Sequence, residues 1–252
     1  MIPTERNECI VLRKSPASVT STCRAATPNT STNKGGATII PRRRKGHKMK
    51  IPTRCGIPCH ISTANGKTLC PCFDLSAVVT CAPSACCHCG KDCYARRMEA
   101  YRKSVRNAHA DNTALALDHL PDLEAALDYY FMVTAPRFFR LHASGDFVTA
   151  EYLRMWLRII RRNPETHFLA FTKQFDVIRP QLDTLPSNLS LIASSWPGMD
   201  MPQDVAGVLP VAWIDGDTRR PEDAHHCTGN CGECGRTCWM IDHKTDVYFD
   251  LH

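Results

Sequence analysis

The sequence predicts an α/β fold with a parallel sheet, either a partial parallel (βα) barrel or an open doubly wound sheet, that carries two cysteine-rich metal loops and is preceded by a basic leader. Three observations carry that expectation. From residue 75 onward, short β-branched apolar runs alternate with amphipathic helical stretches. Polar residues collect just after the apolar runs, at the strand ends where parallel α/β sheets keep their chemistry. Cysteines crowd into two loops, 81–93 and 227–238, both with C-x2-C spacing.

The elements follow in order. Residues 1–50 are rich in Ser, Thr, Pro, Lys and Arg without apolar periodicity and read as a disordered leader. Its run Arg42, Arg43, Arg44, Lys45 suits a solvated tail, with phosphate contact as the alternative. The composition breaks near Met49, as expected if translation starts there. Residues 51–75 read as loop, and Cys55, Cys59, Cys70 and Cys72 are either one zinc site of unusual spacing or free buried thiols. LSAVVT (75–80) reads as a strand delivering Cys81. A helix follows Cys93 with the stripe Met98, Tyr101 and Val105. A second starts near Pro121–Asp122 and carries Leu123, Leu127 and Tyr130. PRFFRLHA (136–143) is a strand. Thr149 caps a helix striped by Leu153, Trp156, Leu157 and Ile160 and stopped at Asn163–Pro164. HFLAFT (167–172) is a strand, 175–184 a short helix, and LSLIAS (189–194), VLPVAWI (208–214) and TDVYFDL (245–251) are strands. Five or six strands result, in one α/β domain over 51–252.

Composition excludes several classes. No apolar run reaches membrane-spanning length and no signal peptide is present, so a soluble, intracellular protein is expected. The net charge of +6 belongs to the leader: residues 1–50 hold eleven Lys/Arg and two Glu, whereas the rest holds twenty Lys/Arg and twenty-three Asp/Glu. Whole-chain charge is therefore no argument for nucleic-acid binding. G-x-G-x-x-G, the P-loop and G-x-S-x-G are all absent.

The fifteen cysteines point to ligation, because an odd number in a chain without a secretion signal does not build a disulfide scaffold. The two knots share one pattern, C-x2-C-G-[KR]-x-C-aromatic: Cys86, Cys89, Gly90, Lys91, Cys93, Tyr94 align with Cys231, Cys234, Gly235, Arg236, Cys238, Trp239. Each has one more cysteine upstream, Cys81 and Cys227. Four thiolates within thirteen residues suit an iron–sulfur cluster, with zinc as the alternative. The metal ligands expected are Cys81, Cys86, Cys89 and Cys93 in the first knot and Cys227, Cys231, Cys234 and Cys238 in the second, with Cys87 spare. Three ligands in the first knot would leave one iron open as a reaction site. Four close the second, which then serves structure or electron transfer. The adjacent His225 and His226 read as solvent-exposed rather than ligating.

At the strand ends, RLHASGDF (140–147) puts His142 and Asp146 where they bind or shuttle protons, beside Gly145, which admits a ligand close to the backbone. The competing reading is a strand-to-helix turn with an acidic helix start. Lys173 is placed to neutralise a carboxylate or phosphate.

The order Thr80-Cys81-x-Pro83, Cys93-Tyr94-Ala95, Arg140-x-His142-x-Ser144-Gly145-Asp146-Phe147, Trp156, Pro164, Phe168 and Thr172-Lys173 resembles the bacteriophage gene product 88 family over roughly 75–200. Phe171 stands where that family usually has Tyr, and the cysteines at 55–72 are extra. The resemblance implies a phage or prophage origin and a bacterial host cytoplasm. The layout also resembles radical-SAM barrels, with a cysteine loop after the first strand and a Gly/acidic motif after the second. That likeness implies a catalytic cluster on the first knot, Ser144, Gly145, Asp146 and Ser194 around S-adenosylmethionine, and His142, Asp146 and Lys173 as catalytic residues acting on a nucleotide, nucleic acid or peptide. The spacing departs from C-x3-C-x2-C in the first knot and matches it only at Cys227, Cys231 and Cys234. The competing function is a non-enzymatic, zinc-stabilised nucleic-acid-binding or host-takeover protein.

Overall fold

The computed structural model describes residues 48–63, 67–240 and 245–250, all within one compact unit, Gly46–His252. Residues 1–47 of the expected disordered leader lie outside the described residues. Its last three residues, Lys48 to Lys50, are in a strand.

Among the described residues nine strands form one sheet: β1 Lys48–Ile51, β2 Cys59–Ser62, β3 Cys72–Phe73, β4 Phe138–Leu141, β5 His167–Thr172, β6 Leu189–Ser194, β7 Val211–Ile214, β8 His225–His226 and β9 Val247–Phe249. Their order is β1-β2-β3-β4-β5-β6-β7-β9-β8. β1, β2 and β3 pair antiparallel, and every later pairing is parallel. From β3 to β7 each strand lies beside its predecessor, which is the winding of a barrel and lacks the reversal of a doubly wound sheet. The sheet does not close, however: β1 and β8 are its two edges. The α/β class and the largely parallel sheet are as expected, and the sheet is open.

Among the described residues seven α-helices connect the strands: α1 Pro83–Cys89, α2 Tyr94–Tyr101, α3 Lys103–Asp118, α4 Leu120–Thr134, α5 Ala150–Arg162, α6 Phe175–Ile178 and α7 Gln203–Ala206. Alternation along the strands sorts the side chains onto two faces. Phe139, Leu141, Phe168, Ala170 and Leu191 pack with Leu123, Leu127 and Phe131 of α4 and Tyr152, Trp156 and Ile160 of α5. Leu169, Ile192, Ala212 and Val247 point the other way and are covered by Cys70, Cys238 and Trp239. Helices thus cover one face and the second cysteine knot covers the other.

α5 shows how local sequence sets an element. Thr149 Oγ1 accepts the Tyr152 amide at 3.1 Å, Glu151 sits in the first turn and Arg161 and Arg162 in the last, each complementing the helix dipole.

Three expectations are corrected. LSAVVT is not a strand. β3 ends at Phe73, Val78 has φ +69° and Val79 is 68% exposed, so the β-branched run sits in an exposed turn. Its exit from the sheet is fixed at Asp74, whose Oδ1 accepts the Ala143 and Ser144 amides at 2.8 and 3.1 Å. The helix after Cys93 breaks at Arg102 (φ −117°, ψ 92°) into α2 and α3, and Tyr101 is 85% exposed rather than part of a stripe. Residues 51–75 hold strands β2 and β3 as well as loop. His226 is exposed, as expected, and His225 half-buried; together they form strand β8, with His226 stacked on Tyr248 at 4.7 Å.

Candidate functional site

The first knot lies across the C-terminal edge of the sheet. Cys81 follows the turn at 77–79, α1 carries Cys86, Cys87 and Cys89, and Cys93 caps α2 by accepting the Arg96 amide at 3.5 Å. α1 begins with Pro83 in its first turn, where proline's missing N–H costs nothing. Gly90 closes it, and a Cβ there would meet the Cys86 carbonyl oxygen at 2.4 Å, so only glycine fits. The Gln174 amide donates to the Thr80 carbonyl at 3.0 Å, and Gly198, in the loop after β6, lies against His88 of α1. These contacts hold the knot over the ends of β5 and β6.

The thiols feel one another and the strand ends. A hydrogen bond with Cys86 pushes the Cys81 thiol up, and burial and the Asp146 carboxylate push it further. Burial raises Cys89; the Lys173 ammonium pulls it down while Cys81 and Cys93 push it up. Lys173 Nζ donates to Ser194 Oγ at 2.7 Å, and both side chains keep partial access to solvent.

The remaining predicted residues are committed to the scaffold. Asp146 is buried, accepting Thr172 Oγ1 (2.7 Å) and the Phe147 amide (2.8 Å) on Oδ1 and the Lys173 amide (2.7 Å) on Oδ2. It joins the end of β4 to the end of β5. Burial raises its pKa, and these donors and Lys173 oppose the rise. Gly145 has φ +80°, and a Cβ there would meet Thr80 Oγ1 at 2.5 Å and Leu75 Cβ at 2.6 Å. The neighbour it admits is the 75–80 turn, not a ligand. Ser144 Oγ donates to the Leu75 carbonyl at 2.9 Å. His142 is buried, with Nε2 2.8 Å from Tyr152 Oη and Nδ1 without a partner. A protonated ring would bury an N–H with nothing to accept it, and burial lowers its pKa to about 3. Burial and the unpartnered Nδ1 thus disfavour the imidazolium form of His142.

Sequence reasoning missed the support beneath the knot. Glu99 Oε1 accepts the Ala77 amide at 2.9 Å and lies 2.7 Å from His109 Nδ1 and 3.3 Å from Ser144 Oγ. Thr80 Oγ1 accepts the Asp146 amide at 3.2 Å. The one available signal was Asp74, an acid at the end of an apolar run.

The second knot is seated on the sheet face. Burial pushes Cys238 up to about 12, with Cys227, Cys231 and Cys234 adding to the rise and Arg140 opposing it. Cys227 is raised by burial and by Cys234 and Cys231, so the four thiols share one locality. The 67–70 segment is bound to it: the Cys231 amide donates to the Lys67 carbonyl at 3.0 Å and Arg236 to the Thr68 carbonyl at 2.9 Å. Cys70 belongs with this knot. Cys72 donates to Asp74 at 2.9 Å, and Cys59 is in the helix-side core. The expected grouping of Cys55, Cys59, Cys70 and Cys72 is therefore not formed.

An open, progressively wound α/β sheet with one four-thiol knot across its C-terminal edge and another on its face defines a thiol-rich α/β protein. Residues 43–241 match the Gene product 88 family, and the chain belongs to it. Two curated relatives are similar: the Gene 88 protein of Mycobacterium phage L5, 36% identical over 102 residues (36% of this chain, 42% of the relative), and that of Mycobacterium phage D29, 32% identical over 145 residues (53% and 60%). The match thus spans about half the length of these relatives. No solved structure matches. Among the described residues no helix is long and apolar enough to cross a membrane.

Proposed function

We propose that the chain is an iron–sulfur enzyme in which the first knot is the reactive centre and the second a structural one. The observation that carries this reading is the meeting of Cys81 and Cys89 with the Asp146 and Lys173 charges over the C-terminal edge of a parallel sheet. The donor set fits such a cluster. Burial and mutual charge oppose ionisation of the thiols, and a bound cation relieves both.

When bound, the cluster supplies one-electron chemistry to a small cofactor, for which the shared loop order with radical-SAM barrels suggests S-adenosylmethionine. The chain's own residues hold and orient. Lys173 and Ser194, bonded to each other, offer an ammonium and a hydroxyl to a carboxylate or phosphate. Asp146, Gly145 and Ser144 keep the two strand ends and the 75–80 turn in register, so they position the site rather than touch the ligand. Cys87, exposed and bonded to the Pro83 carbonyl at 3.5 Å, is the spare. The substrate class is a nucleotide, nucleic acid or peptide, met in the host cytoplasm.

Titration of S-adenosylmethionine into anaerobically purified, reduced protein tests this. The cluster's electron paramagnetic resonance signal is expected to shift, and Lys173→Ala to weaken the binding about tenfold. An unshifted signal at saturating cofactor ends the radical reading, and colourless protein containing only zinc ends the iron–sulfur one in favour of the zinc-stabilised binding protein.

A further inference from the structure

We propose a third metal centre outside both knots, a zinc site formed by Cys55, His119 and Asp122 with a fourth position open to solvent. One ligand atom from each of these residues lies within 4.8 Å of the others. They come from two separate pieces of chain, the turn after β1 and the junction of α3 and α4. Cys55 sits in the turn after β1, closed by the Gly56 amide on the Thr53 carbonyl at 3.2 Å, with Gly56 at φ +84°. His119 is the junction residue between α3 and α4 (φ −137°). Asp122 follows in the first turn of α4, its amide on the His119 carbonyl at 3.0 Å.

The surrounding bonds aim these groups. Thr53 Oγ1 donates its one proton to the Ile57 carbonyl at 2.6 Å, so in its 3.1 Å contact with Cys55 Sγ it is the acceptor. Once the thiol proton is lost, the sulfur has no tie to Thr53 and is free to bind a cation. Asp122 Oδ1 accepts the Arg54 amide at 3.2 Å, which fixes the carboxylate and leaves Oδ2 to coordinate. A helix-start aspartate explains Asp122 alone; it does not explain a thiol and an imidazole gathered beside it.

One sulfur, one nitrogen and one oxygen suit borderline-soft Zn²⁺. All three residues are partly exposed. Asp122 also lines a cavity of about 300 Å³ together with Ile51, Thr53, Arg54, Ala126 and Tyr129 among others.

Zinc per chain is measured in the wild type, Cys55→Ser, His119→Gln and the double variant. Each single variant is expected to lose one equivalent, the double no more than that, and iron and sulfide to stay unchanged. Iron and sulfide report on the knots, so failure of the knot reading is seen separately. Unchanged zinc in both single variants overturns the site. Should a variant not fold, alkylation of the wild-type protein decides: Cys55 is expected to be protected until a chelator is added, and equal labelling with and without chelator overturns the site.

Discussion

The two cysteine knots share a sequence pattern and little else. In the first, the aromatic Tyr94 is 52% exposed; in the second, Trp239 is 2% exposed, packed edge-on against Phe138 at 5.4 Å. Gly90 ends a helix at φ −62°, whereas Gly235 has φ +66° in a run of turns. Lys91 is exposed, whereas Arg236 stacks over Phe138 at 4.4 Å. Cysteine spacing determines which side chains can converge. The surface beneath determines the backbone that brings them there. A knot with a sheet face under it is anchored by its aromatic. One lying across strand ends is anchored by its backbone and stays accessible. That contrast is why the first is assigned the chemistry and the second the structural role.

The largest effect expected from this contrast is at the aromatics. Trp239→Ala should cost about 3–5 kcal/mol and release metal from the second knot alone. Tyr94→Ala loses its hydroxyl bond to the Ala143 carbonyl and little burial, so about 1 kcal/mol. Denaturant unfolding with metal analysis checks both, and equal costs would break the comparison.

Acid sharpens it next. His142 lies beside the first knot's support, and its folded pKa of about 3 is below the unfolded 6.5. Its contribution is complete above pH 6.5 and falls by about 1.4 kcal/mol per pH unit between 6.5 and 3 as the unfolded chain takes up the proton. Stability measured from pH 7 to 4 should show that slope, and His142→Asn should flatten it.

The smallest effect is at the paired cations. Arg236→Ala should cost about 1 kcal/mol through lost stacking and its bonds to the 67–70 segment, and Lys91→Ala less than about 0.5 kcal/mol. Matched thermal melts of the two variants check this.

Much of the sheet was legible in the sequence because parallel strands buried on both faces leave plain apolar runs: HFLAFT and LSLIAS are β5 and β6, and Thr149 caps α5 as its sequence predicts. LSAVVT failed by the same rule, since β-branched content does not distinguish a strand from a turn held by distant partners such as Glu99 and Ser144. The β1–β2 hairpin was hidden by cysteines and prolines. At the site, the thiols were visible through their spacing. The commitment of Asp146, Gly145 and Ser144 to internal contacts was not, because the residues they touch lie about 25 to 70 positions away. Nor could the sequence show that Cys70 joins the second knot or that Cys55 meets His119.

The proposed roles of the two knots differ, the first reactive and the second structural. The direct test is iron, acid-labile sulfide and zinc per chain in anaerobically purified wild type, Cys89→Ser and Cys234→Ser, each with a melting curve. The account predicts that Cys89→Ser loses iron and sulfide with its melting temperature nearly unchanged, whereas Cys234→Ser loses metal together with stability and keeps the first cluster. Equal loss of stability in the two variants, or zinc without sulfide in the wild type, would contradict it.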